Sequence, residues 1–137
     1  YYDEVKQAYT ALADEVEAMY ITVASLESKR LPDLLEPFLA QGIPVFSQLG
    51  ESEVRYGALM SVTVNDLKNI GRFGADIMVR CFNGGNLRTL PQIFESTPKI
   101  IVNLETAERI GYRVPFSVLL SADNVYTEIG DSDGTQD

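Results

Sequence analysis

Ala18-Met19-Tyr20-Ile21-Thr22 and Ile43-Pro44-Val45-Phe46-Ser47 are two short apolar runs, and the stretch that joins them decides the fold. Each run is continuously apolar and does not alternate, so each reads as a strand buried on both faces. Between them, Leu31, Leu34, Leu35, Phe38 and Leu39 recur at helical spacing and predict a helix over Leu31–Gln41. Pro32 falls in its first turn, where a missing N–H costs nothing, and Gly42 ends it. Pro37 lies inside that helix and removes one of its hydrogen bonds. A helix of this length is a crossover and not a hairpin turn, so the two strands are expected to run parallel.

The same alternation continues outward. Val5, Ala8, Tyr9 and Leu12 make the apolar stripe of a helix ahead of the first strand. Gly57 to Val64 reads as a third strand, and Asn65 or Asp66 caps the helix after it. Leu67, Ile70, Phe73, Ile77, Met78 and Cys81 form that helix's stripe. Gly71 and Gly74 each weaken it by about 1 kcal/mol relative to Ala, and are expected to mark close packing on a neighbour. Asn83-Gly84-Gly85-Asn86 stops it with residues that tolerate positive φ. Leu87 to Pro98 resembles a linker, Lys99 to Asn103 a strand, and Thr106–Gly111 and Pro115–Ala122 two short helices. The fold class is α/β, a parallel sheet flanked by helices. Ligands of such sheets bind beyond the carboxyl ends of the strands, here the loops Val23–Ser28 and Gln48–Val54.

Composition narrows the chemistry. The 137 residues suit one compact domain, and 45% hydrophobic with 23% charged residues is ordinary globular usage. Eleven Lys and Arg stand against twenty Asp and Glu, a net charge of −9. Five of those acids lie between Asp123 and Asp137 with no base among them, so the body is only mildly acidic. Without a basic stripe, nucleic acid is not an expected partner. The absence of His excludes the Ser-His-Asp triad, the Cys-His pair and His-containing zinc sites. A single cysteine, Cys81, excludes an internal disulfide and reads as a small buried apolar residue. The chain opens Tyr1-Tyr2-Asp3-Glu4 without Met, which is expected of a cut end. No run approaches the ~20 apolar residues of a membrane span.

Several polar motifs have plain readings. Asp131-Ser132-Asp133-Gly134 begins like a calcium loop, but the chain ends before a closing Glu. Asn83-Gly84-Gly85 lacks the flanking strand and helix of a phosphate cradle. Asp14-Glu15 and the Glu51, Glu53 pair read as surface, with no pocket to separate their pKa values. Nothing spells an active site, and neither cofactor nor metal is expected. Thr22, Ser25, Ser47 and Gln48 differ, because they are polar residues at the carboxyl ends of two expected parallel strands, where hydrogen bonds hold a small molecule.

Taken in order, several segments resemble one family, the solute-binding proteins of ABC transporters related to the tryptophan-binding component. The segments are Ala18-Met19-Tyr20-Ile21, Ile43-Pro44-Val45-Phe46, Gly57-Ala58-Leu59 and Asp66-Leu67-Lys68-Asn69-Ile70-Gly71-Arg72. Asn103-Leu104-x-Thr106-Ala107-x-x-Ile110-Gly111, Val114-Pro115 and Ala122-Asp123-x-Val125 complete the pattern, which runs from about Val5 to Tyr126. The resemblance implies the C-terminal portion of a two-lobed, periplasmic-binding-protein-like type I fold. Residues 1–56 would belong to one lobe, 57–92 would cross to the other, and 93–137 would form the return segment and acidic tail. It implies no enzyme but an extracytoplasmic receptor, periplasmic or lipid-anchored, that binds an amino acid or a similar polar or aromatic solute. The partners implied are that small molecule, the membrane permease, and the missing N-terminal portion of the same protein, with self-association of the chain alone as a consequence of its open sheet edge.

On this reading Asn65 and Asp66, ahead of the Gly71 helix, join Thr22, Ser25, Ser47 and Gln48 as ligand-binding residues. Where the family often places an acidic or amide residue after the Tyr20-Ile21 strand, this chain has Val23-Ala24-Ser25, and Ser25 cannot neutralise an ammonium. The alternative is a ligand-sensing domain of a regulator or signalling protein that reuses the fold. Upstream sequence separates the two: a signal peptide or lipidated Cys for the receptor, a DNA-binding or signalling domain for the sensor.

Overall fold

A computed structural model describes residues 1–22, 27–64 and 67–130. Helix α1 (Tyr2–Ala13) leads to strand β1 (Met19–Ile21), and α2 (Leu31–Ala40) crosses to β2 (Val45–Ser47). The two strands pair in parallel, with Met19 beside Val45 and Ile21 beside Ser47, as the crossover length requires. Gly42 takes φ 72°, the left-handed conformation that lets the chain turn back after α2. Pro37 stays within the helix, half-buried between the buried pairs Leu34, Leu35 and Phe38, Leu39.

After β2 come α3 (Glu51–Arg55) and β3 (Met60–Thr63), then α4 (Leu67–Phe82), β4 (Lys99–Asn103), α5 (Leu104–Arg109), α6 (Phe116–Ser121) and β5 (Asn124–Tyr126). The sheet order is β1-β2-β3-β4-β5. Three pairings are parallel, but β4 runs antiparallel to β3. The chain leaves the sheet at Thr63 and re-enters at Lys99 after α4 and the rest of the 64–98 stretch, so connection length alone does not set the direction of β4. The sheet is thus mostly parallel and mixed.

The chain divides into two compact units, Tyr1–Thr63 with Lys99–Asp137, and Val64–Pro98. The first holds the whole sheet. Its core lies on one sheet face, where Leu31, Leu35 and Phe38 of α2, Ala13 of α1 and Val54 of α3 meet Ile21, Val45 and Ile101. Tyr9 packs edge-on against Phe38 at 6.0 Å between centroids. Burying Leu34, Leu35 and Phe38 at essentially zero exposure stabilises α2 on the sheet by roughly 1.5–3 kcal/mol per side chain.

The second unit is α4 and an irregular return. Phe73 meets Phe94 at 5.7 Å, Arg80 pairs with Asp76, and the Gly85 N–H donates to the Arg80 carbonyl to close the helix. Of the expected stripe, Phe73, Ile77 and Cys81 are half-buried, whereas Ile70 and Met78 are exposed. A Cβ added at Gly71 or Gly74 meets nothing within 4 Å, so these glycines do not mark close packing on a neighbour. The N-terminal cap expected at Asn65 or Asp66 lies outside the described residues.

Candidate functional site

The carboxyl ends of β1 and β2 come together through backbone bonds. Ile21 sits beside Ser47, and the Gln48 N–H donates to the Ile21 carbonyl at 3.0 Å, which pins the chain leaving β2 to the end of β1. Ser47 is fully buried, and its Oγ accepts the Leu49 N–H at 3.0 Å, a local turn that satisfies the first free amide after the strand. Gly50 follows at φ 112°, where a Cβ would approach Thr63 Cγ2 at 3.2 Å, so the turn lies tight against the end of β3. Only glycine takes that geometry without strain.

Of the residues expected to bind ligand, Thr22, Ser47 and Gln48 are thus gathered at one sheet end. Thr22 and the Gln48 side chain are exposed there, whereas Ser47 is internal and one acceptor position of its hydroxyl is taken by the Leu49 N–H. Ser25, Asn65 and Asp66 lie outside the described residues. Ser61 sits in register beside Ser47, is as deeply buried, and carries the single buried side-chain oxygen without a partner among the described residues. Thr63, two residues on, completes a layer of small polar side chains under the strand ends.

Beside this end, α3 carries two acids, one buried and one exposed. Glu53 is 5% exposed, with Ser28 Oγ 3.5 Å from its Oε1. Glu51 accepts from Tyr126 Oη at 2.6 Å and from Asn124 Nδ2 at 2.8 Å. Partial burial, then the bond and the charge of Glu51, push the Tyr126 phenol up to about 12. Both acids were expected as solvated surface; Glu51 is exposed, although engaged by Tyr126 and Asn124, whereas Glu53 is buried. Five residues of α3 are too few to show a period, so neither the helix nor its inward face was legible.

Several residues of the motifs that carry the family resemblance hold the scaffold together. Asn103 is fully buried at the end of β4: its Oδ1 caps α5 by accepting the Thr106 N–H at 3.0 Å, and its Nδ2 donates to the Val54 carbonyl at 2.9 Å and to that of Glu128 at 3.3 Å. Thr106 Oγ1 donates to the Gly57 carbonyl, and Gly57 stands at φ 117°. Asp123 accepts the Ile100 N–H at 2.8 Å and starts the β4–β5 ladder.

A cavity of about 250 Å³ lies at the opposite end of the strands, lined by Pro44, Phe46, Met60, Val114, Pro115 and Val118 among others. It offers no charged side chain to orient a polar solute, so it is not the candidate ligand site. Among the described residues no cluster of metal-ligating side chains occurs, and no helix is long and apolar enough to cross a membrane.

Residues 2–126 match the family described as ABC transporter substrate binding protein. Three solved structures are similar. One is an ABC domain in complex with L-Trp from Streptococcus pneumonia, at TM-score 0.67 and 23% identity. Another is a conserved domain protein from Vibrio cholerae O1 biovar El Tor, at 0.66 and 23%. The third is the ligand-free, open structure of a substrate binding protein with adhesive properties from Clostridium difficile, at 0.69 and 22%. The matches cover 90%, 90% and 92% of this chain and 41% of each of those chains. At that identity the likeness shows the fold, part of a periplasmic-binding-protein-like architecture. No curated protein matches in sequence.

Proposed function

Since the chain belongs to the ABC transporter substrate-binding protein family, we propose that it is part of an extracytoplasmic receptor that captures a small solute between two lobes and delivers it to the transporter's membrane permease. The observation that carries this reading is the family match over residues 2–126, nearly the whole described chain. The role is binding and not catalysis, in keeping with a chain that has no His and no nucleophile arrangement.

In this reading residues 1–56 and the return segment 93–137 belong to one lobe, and 57–92 cross to the other. Support comes from the separate compact unit at Val64–Pro98, entered and left by single strands of chain. In this reading Thr22, Ser25 and Gln48 are ligand-binding residues of the first lobe, with the buried Ser47 beneath them, and Asn65 and Asp66 are ligand-binding residues at the crossing. Ligand held there shifts an open–closed equilibrium by binding the closed state better. The solute is an amino acid or another small polar or aromatic molecule, and L-tryptophan is the first to test because a structure of the same fold holds it. The chain covers 41% of that structure, and in this reading the rest of the binding cleft belongs to further chain of the same protein.

Native mass spectrometry of the full-length protein, followed by calorimetric titration with the co-purified solute and with L-tryptophan, tests the proposal. A bound small molecule whose affinity falls on Gln48→Ala or Thr22→Ala supports it. A full-length protein that carries no solute and binds none of the amino acids overturns it.

A further inference from the structure

Among the described residues Glu53 is the only charged side chain that folding buries, at 5% exposed. Its one hydrogen-bond partner among them is Ser28 Oγ, 3.5 Å from Oε1, which is long for an O–H···O bond. None of the lysines and arginines among them forms an ion pair with it. A carboxylate taken out of water is ordinarily paired, because burial removes the solvation of its charge. Acids on the surface of this same fold show what pairing looks like. Asp33 accepts from Tyr2 and Lys6, and Glu36 from Arg109, at 2.6–2.8 Å. Nothing comparable reaches Glu53.

Its place in the fold is where a ligand belongs. Glu53 lies in the segment that follows β2, and Ser28 ends the segment that follows β1, so their contact joins the two connections beyond the carboxyl ends of paired parallel strands. α3 opens directly from the Leu49–Gly50 turn, so the turn that presents Gln48 also sets the position of Glu53. A metal ion is a poor match for the missing charge, since no group of three His, Cys, Asp or Glu that could hold one occurs among the described residues. One carboxylate beside one hydroxyl suits a singly charged group with several N–H donors, which is an ammonium.

We propose that Glu53 is the counter-charge for the solute's ammonium group, with Ser28 Oγ as that group's second acceptor, so that the receptor takes an amino acid or an amine. This deepens the receptor reading and rests on it. It supplies what the segment after β1 lacks, because Ser25 is polar but carries no charge. Ser28 is half-buried, and its long contact with Glu53 is the one that the ammonium enters.

Two measurements on the full-length protein test the assignment. The first needs no solute. A carboxylate retained for a ligand destabilises the ligand-free fold, so Glu53→Gln and Glu53→Met are expected to melt no lower than the parent, and Glu53→Met up to about 4 °C higher. A fall of more than about 4 °C in both variants makes Glu53 a structural acid and overturns the proposal. The second measurement is calorimetric titration with L-tryptophan and with indole-3-propionate, the same molecule without its amino group. The parent is expected to prefer L-tryptophan at least about tenfold, and Glu53→Gln to erase that preference. A preference that survives in Glu53→Gln overturns the proposal. Should the parent bind another amino acid in place of L-tryptophan, that amino acid and its deaminated acid make the same comparison. A parent that binds only solutes without an amino group overturns the role of Glu53 and leaves the receptor reading standing. A parent that binds no solute removes the receptor reading and this proposal with it.

Discussion

Replacing Asn103 probes the joint on which the sheet's return strand depends. Its side chain makes three bonds in full burial: one cap to α5 and two donations, to the carbonyls of Val54 and Glu128. Asn103→Ala removes the cap, about 1 kcal/mol. It also strands the buried Val54 carbonyl, which costs about 1–3 kcal/mol, while the partly buried Glu128 carbonyl recovers water. The sum is about 2–4 kcal/mol, a fall in Tm of roughly 10 °C for a chain of this size.

Asn103→Asp separates the two roles. Its carboxylate still accepts from Thr106, but its second oxygen now faces the two carbonyl oxygens that Nδ2 served. That environment raises the carboxyl pKa in the folded protein, so the folded state holds its proton more tightly than the unfolded state does. Stability then falls as pH rises from the unfolded carboxyl value through the folded one, and recovers on acidification. Urea unfolding of the parent and both variants at neutral and mildly acidic pH reads all of this. A loss below about 0.5 kcal/mol in Asn103→Ala would refute the reasoning, since that is the size of a change at an unremarkable surface site. So would an Asn103→Asp variant whose deficit does not shrink on acidification.

Tyr126 should titrate near 12, held up first by burial and then by its bond to Glu51. Unfolded tyrosine ionises near pH 10, so this group's contribution is present below that pH and is lost as pH rises from about 10 toward 12. The phenolate absorbance curve should lose its highest step in Tyr126→Phe; an unchanged curve contradicts the assignment. Phe38→Ala, at a side chain with no exposure, should cost about 3–5 kcal/mol in denaturant unfolding, whereas Leu120→Ala on the open side of α6 should fall within about 0.5. Gly71→Ala should stabilise the 137-residue chain by about 0.5–1 kcal/mol, because the site is helical with open space, while Gly50→Ala, at φ 112° against Thr63, should destabilise it. Opposite signs in thermal melts would overturn that pair. In the full-length receptor, Asp66→Asn should keep most helix capping and weaken a cationic solute by about 1–3 kcal/mol; unchanged affinity in calorimetry would leave Asp66 as a cap alone.

Much of the fold was legible because it is written in local periods. Two unbroken apolar runs and the leucine spacing between them point to buried strands and a helix on one face, and the helix between them carries the chain back for a parallel return. Gly42 and Pro32 act within a few residues of themselves, so they too could be read from the chain. Tertiary structure decided the rest. The direction of β4 depends on the whole 64–98 excursion, and β5, three residues long, exists only because β4 offers it a ladder that Asp123 starts. α3 is too short to show its period, so the burial of Glu53 and the engagement of Glu51 by Tyr126 and Asn124, more than seventy residues away, had no local signal. At the strand ends, position alone made Ser47 as good a candidate as Gln48. The packed turn distinguishes them by drawing the serine hydroxyl inward to Leu49 and leaving the glutamine side chain outside. Backbone period belongs to neighbours in sequence, whereas burial of a polar group belongs to neighbours in space.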